Sequence, residues 1–99
     1  MQSRYEASFD REMGCTEREW LMWLPGAVRG HELTLGVGRA HVAIAGGGLA
    51  LTWRVLGPRR IALMSMPRLA VQFRFEAVGE AERHGFMRYF DLFMQRGGG

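Results

Sequence analysis

Ninety-nine residues, thirteen of them arginine and none lysine or asparagine, carry a net charge of +3 and are 47% hydrophobic. That length makes one domain, the apolar share is enough for a core and argues against global disorder, and the missing lysine excludes a Schiff base or a P-loop lysine. A surplus of three charges permits acidic partners without demanding them.

The first element in chain order is a strand over residues 4–9, where Tyr5, Ala7 and Phe9 alternate with Arg4, Glu6 and Ser8. Thr16-Glu17-Arg18-Glu19 has the spacing of a capping box. The helix it opens places Trp20, Leu21, Trp23 and Leu24 on one wide face and is expected to end at Pro25-Gly26. From Glu32 to Glu76 the apolar period changes to two. Leu33, Leu35 and Val37 share one parity while Val42 and Ile44 share the other, which predicts one strand bent by a bulge near Gly36-Val37-Gly38. Gly46-Gly47-Gly48 supplies a hairpin turn and Gly57-Pro58 another, bracketing a strand at 49–56. Strands at 61–66 and 69–76 follow, with Pro67 between them. The last element is a helix from Glu80 to Arg96, striped by Phe86, Phe90 and Phe93 and widened by Met87 and Met94, with Gly97 at its end. Residues 1–96 then form the domain, and 97–99 a flexible glycine tail.

Strand, helix, four strands and helix describe an α+β fold, with an antiparallel sheet of about five strands carrying two helices on one face. In element order this β-α-β4-α arrangement resembles the repeats of TATA-binding proteins and, more loosely, the helix-grip folds. The second resemblance implies a cavity for a small apolar ligand between helix and sheet, here lined by Trp20, Trp23, Phe86, Phe90 and Phe93. In a chain this short, such rings more often fill the core.

Catalytic chemistry finds little material. Gly36-Val37-Gly38-Arg39-Ala40-His41 starts like a dinucleotide fingerprint, but His41 stands where the third glycine belongs and a strand follows instead of a helix. His31, His41 and His84 lie far apart and lack metal-ligand spacing. Cys15 precedes a helix N-terminus, a place that can lower a thiol pKa, yet no histidine neighbours it in sequence. Asp10 and Asp91 are the only aspartates, and Glu17, Glu19, Glu80 and Glu82 have duties at helix starts. Neither an enzyme, nor a cofactor, nor a metal site is expected. The lone cysteine allows no internal disulfide, Met1–Glu6 has no apolar signal core, and no run of about eighteen apolar residues occurs. A cytoplasmic protein without a membrane partner is expected.

The open sheet face remains. If register runs on through Gly38 and Pro67, it presents Thr34, His41, Thr52, Arg54, Arg60, Met64, Arg68, Gln72 and Arg74. In the simplest case it is a solvated face whose arginines pair with Glu32 or Glu76. As a site, Arg54, Arg60, Met64, Arg68, Gln72 and Arg74 are the binding candidates, and three partners are considered. A second copy of the chain, through the face or an edge strand, would cover Met64 and Met66. A nucleic acid or other polyanion would take the arginines, although Trp53, Phe73 and Phe75 point to the core and leave no base-stacking ring. A small apolar ligand between helices and sheet is the third.

Overall fold

The computed structural model of the chain describes residues 4–97. It contains β1 (Ser8–Met13), α1 (Glu17–Ala27), β2 (Leu33–Gly36), β3 (Arg39–Ile44), β4 (Gly47–Ile61), β5 (Met64–Glu76) and α2 (Glu80–Gln95). The strands form one antiparallel sheet in the order β1-β5-β4-β3-β2, and both helices lie on one of its faces. The α+β class, an antiparallel five-stranded sheet with two helices, is that which the sequence pattern gives, while the strands between the helices are divided differently.

Alternation builds the covered face. Ala40, Val42 and Ile44 of β3, Leu49, Leu51 and Trp53 of β4, and Leu69, Val71, Phe73 and Phe75 of β5 are buried in one cluster with Trp20, Leu24, Phe86, Met87 and Phe90 of the helices. Rings meet edge to face there: Trp20 with Trp53 and Phe90, Phe73 with Phe90, and Phe75 with Phe86, at centroid distances of 5.6 to 6.1 Å. That geometry favours aromatic pairs. The space assigned to an apolar ligand is thus occupied here by the chain's own side chains.

The helix starts are encoded locally. Thr16 Oγ1 accepts from the Glu19 amide at 3.1 Å, and the Glu19 carboxylate accepts from the Thr16 amide at 2.9 Å, completing the capping box. At α2 the Gly79 amide donates to Glu82 Oε1. Gly97, with φ +66°, closes α2 by donating to the Met94 carbonyl. Gly98 and Gly99, the rest of the expected tail, lie outside the described residues.

Several boundaries differ from the sequence reading, each for a physical reason. The first strand is Ser8–Met13, not 4–9, because its alternation is masked by Arg11, a charge on the apolar side. Asp91 of α2 neutralises it with a forked ion pair, Nη2 to Oδ2 at 3.0 Å, while the Phe9 and Phe73 rings lie 5.3 and 5.4 Å from the guanidinium carbon. Tyr5, upstream of the strand, is buried and donates its hydroxyl to the same carboxylate. Helix α1 runs through Pro25 to Ala27: Pro25 cannot donate to the Leu21 carbonyl, but burial of Ala27 and Val28 and the Val28 amide bond to the Leu24 carbonyl hold the last turn. At Gly26 any Cβ would overlap the Phe93 ring, so this glycine serves the contact between the helices.

The expected bent strand is a hairpin, β2 and β3 turning at Val37-Gly38, with Gly38 at φ +68°. The next turn is Ala45-Gly46; Gly47 already belongs to β4, where a Cβ would collide with the carbonyl oxygens of Glu76 and Ala77. Gly57-Pro58 does not turn. It forms a bulge within a 15-residue β4, and the strands expected at 49–56 and 61–66 belong to this one hairpin. The reversal comes at Ala62-Leu63, and Pro67 sits inside β5.

Candidate interaction surface

Strand pairing places the face left bare by the helices in rows. One row is Ser8, Arg74, Ala50, His41 and Thr34; the next is Asp10, Gln72, Thr52, Arg39 and Gly36; the third is Glu12, Ala70 and Arg54. Between Leu56–Arg68 and Arg59–Met66 the bulge puts two residues of β4 opposite one of β5, so the parity of β4 reverses. Arg59 and Ile61 therefore share the open face with Met64 and Met66. Arg60, paired with Ser65, goes to the other side. Of the six binding candidates, Arg54, Met64, Arg68, Gln72 and Arg74 stand on the open face and Arg60 does not, a correction that follows from the bulge.

Two acids on this face, Asp10 and Glu12, escape the sequence reading because Arg11 hides the strand that carries them. Glu12 is the anion that engages the arginines: Oε1 lies 3.1 Å from Arg59 Nη2 and Oε2 3.3 Å from Arg68 Nη1. Arg68 Nε also donates to the Gly57 carbonyl at 2.8 Å, satisfying an acceptor that the bulge leaves free of the ladder. Exposed pairs of this kind contribute ~0–1 kcal/mol each. Their effect is directional, since they brace the far half of the hairpin against the edge of β1.

That far half is an arm. Pairing of β3 with β4 stops at Thr52 and pairing of β1 with β5 stops at Leu69. Beyond these points β4 and β5 have only each other, and every residue from Gly57 to Pro67 is exposed. The end of the body is abrupt: Leu69 is 0% exposed, while Val55 opposite it is 65% exposed. On the arm, Val55, Ile61, Leu63, Met64 and Met66 are large apolar residues laid out in water. Pro58 stands on one strand of the arm and Pro67 on the other. A proline cannot donate to a new ladder, so both interrupt extension of the sheet and leave side-chain contact as the better way to cover the arm.

Nearer the body, Asp10, Thr52, Arg54, Ala70 and Gln72 line a shallow depression of about 490 Å³. Its floor is the small Ala70, and Thr52 Oγ1 donates to Gln72 Oε1 at 3.4 Å. Among the described residues neither Asp10 nor Arg54 has a charged partner. The face is mixed in sign, with Asp10, Glu12 and Glu76 among Arg39, Arg54, Arg59, Arg68 and Arg74.

Elsewhere the titratable groups serve the fold. Asp91 ties β1 and Tyr5 to α2, Glu17 accepts from Trp53 Nε1 at 2.8 Å, and Glu80 pairs with Arg4. Burial pushes the Cys15 thiol up, assisted by the charge of Glu19; this is opposite to the lowering that a helix N-terminus can produce. His84 is half-buried with its ring edge-on to Tyr5, and His31 packs similarly against Phe86. Among the described residues no three His, Cys, Asp or Glu side chains gather as a cation site, and no helix is long and apolar enough to cross a membrane. Compared with known proteins, the chain matches no family model and no curated sequence.

Proposed function

We propose that this chain is a small non-enzymatic interaction module, acting in the cytoplasm, that self-associates through the open sheet face and the arm continuing it. The apolar arm carries the reading. Large apolar side chains held out on a braced hairpin, with Ile61, Met64 and Met66 on the open face, cost free energy in water at ~25 cal/mol per Å² until something covers them. A short chain has the most to gain from such cover.

The non-enzymatic part of the reading is supported by the carboxylates, most of which are already engaged with arginines, helix starts or Trp53. Binding of a polyanion is the weaker alternative. Arg54 and Arg74 are free for it, but Glu12 occupies Arg59 and Arg68, and Asp10 and Glu76 oppose a polyanion on the same face.

Native mass spectrometry across a dilution series tests the proposal. Wild-type protein is expected at twice the 11.2 kDa chain mass, and Met64→Glu, which places a charge on an already exposed arm position, is expected at the single mass. A wild-type protein that stays single at every concentration would refute self-association.

A further inference from the structure

We infer that the open face docks on the same face of a second copy of this chain, with Asp10 of each copy meeting Arg54 of the other. This rests on the self-association reading and names the contact that gives it register. Asp10 and Arg54 are exposed, carry opposite charge, and have no charged partner among the described residues. They lie on β1 and β4 with β5 between them, a lateral gap of about 9.5 Å at ~4.8 Å per strand.

The reason both stay free is local. Arg59 and Arg68 draw Glu12, the acid in the row of Arg54, toward the arm. Arg74, diagonal to Asp10 through the Gln72 pairing, makes no ion pair with it. Between the two charges the surface dips over the methyl of Ala70, and the depression of about 490 Å³ is roomy enough to admit side chains from a facing surface.

An acid and a base offset on one surface are self-complementary under a twofold rotation. When two such faces meet, each acid finds the other copy's base, and the contact forms twice. A polyanion would gain from Arg54 and lose at Asp10. The same face continues along the arm through Leu56, Ile61, Met64 and Met66, so apolar cover and charge pairing belong to one surface. A standard interface takes about 800 Å² from each partner, roughly one eighth of this chain's 6326 Å².

Charge reversal tests the pairing, read by sedimentation across a dilution series. Asp10→Arg and Arg54→Asp are each expected to weaken the dimer about tenfold or more, since each reversal sets like charges together at two symmetric places. The swapped double variant, Asp10→Arg with Arg54→Asp, should recover association. An equimolar mixture of the two single variants should form a heterodimer more tightly than either forms a homodimer. Both positions are exposed, so at a dilution where the wild type is monomeric the thermal melts of the variants should overlay it and exclude misfolding.

If the reversals leave the dimer constant unchanged while Met64→Glu still dissociates it, the pairing is wrong and self-association stands. If the wild type never associates, both fall. A monomer that binds a mixed-sequence oligonucleotide, more tightly as Asp10→Arg, would give the face to a polyanion and overturn the inference.

Discussion

The β4–β5 hairpin is two structures in one. From Gly47 to Trp53 and from Leu69 to Phe75 its alternation buries every second side chain under the helices. From Val55 to Arg68 the same two strands, still paired, bury almost nothing. Apart from the bulge at Gly57-Pro58, both halves are paired antiparallel strand, and both are rich in apolar residues. What separates them is cover: α1 and α2 with their aromatic stripe lie over the first half, and no described element lies over the second. Burial here is a property of the layer above a strand rather than of the strand.

Removing one large apolar side chain from each half is the strongest way to break that comparison. Phe90→Ala empties space between Trp20 and Phe73 and is expected to cost about 4 kcal/mol, a large part of the 5–15 kcal/mol typical of small domains. Leu63→Ala, at the arm's tip, should stay within ~0.5 kcal/mol. Urea unfolding at a concentration where the protein is monomeric measures both. A cost above ~1.5 kcal/mol for Leu63→Ala would mean that the arm is covered within the monomer.

The edge strand that braces the arm gives the next test. Asp91→Ala leaves Arg11 partly buried among three aromatic rings and takes away the acceptor of Tyr5, for about 3 kcal/mol by the same unfolding measurement. The arm's own ion pairs are exposed, so Glu12→Gln should cost under ~1 kcal/mol. Equal losses would show that the brace holds as much free energy as the core clamp.

A pH dependence sharpens the contrast. Burial, and then the hydrogen bond to and charge of Asp91, push the Tyr5 phenol from 10.0 up to about 12 against the opposing charge of Arg11. The folded state holds this proton more tightly than the unfolded chain does. Its contribution is therefore complete below pH 10 and lost as pH rises to about 12. Between those limits wild-type stability should fall by up to ~1.4 kcal/mol per pH unit more steeply than that of Tyr5→Phe. Parallel curves would place the Tyr5 hydroxyl in water.

How legible all this is in the sequence depends on which residue types carry the signal. The covered face of β3, β4 and β5 follows from period-two alternation, and the helix starts from Thr16, Glu19 and the phenylalanine stripe. Turn positions do not follow, because two of the three hairpins reverse at alanines in the left-handed region, Ala45 at φ 51° and Ala62 at φ 54°. Alanine carries no turn signature, whereas Gly57-Pro58 carries a strong one and forms a bulge. That single misplacement sends Arg60 to the wrong face. Asp10 and Glu12 are hidden by the opposite error, Arg11 reading as a break in a strand whose apolar side it occupies. Sequence patterns assume that charge means water, and a forked carboxylate such as Asp91 removes the assumption.

Those two alanines give the finest comparison of body and arm. Each holds a left-handed conformation that costs an L-residue about 1–2 kcal/mol and glycine little, and glycine's greater freedom in the unfolded chain returns part of the gain. The net gain expected from Ala45→Gly is about 0.5–1 kcal/mol in global stability, because its turn joins two strands that bury Ile44 and Leu49. Relief of the same strain by Ala62→Gly should hardly move the urea midpoint of the monomer. The arm can open beyond the bulge while the body stays folded, so the gain appears only as slower hydrogen exchange at arm amides near the turn. If Ala62→Gly raises global stability as much as Ala45→Gly does, the arm folds cooperatively with the body, and its apolar side chains are already part of the fold before any second copy arrives.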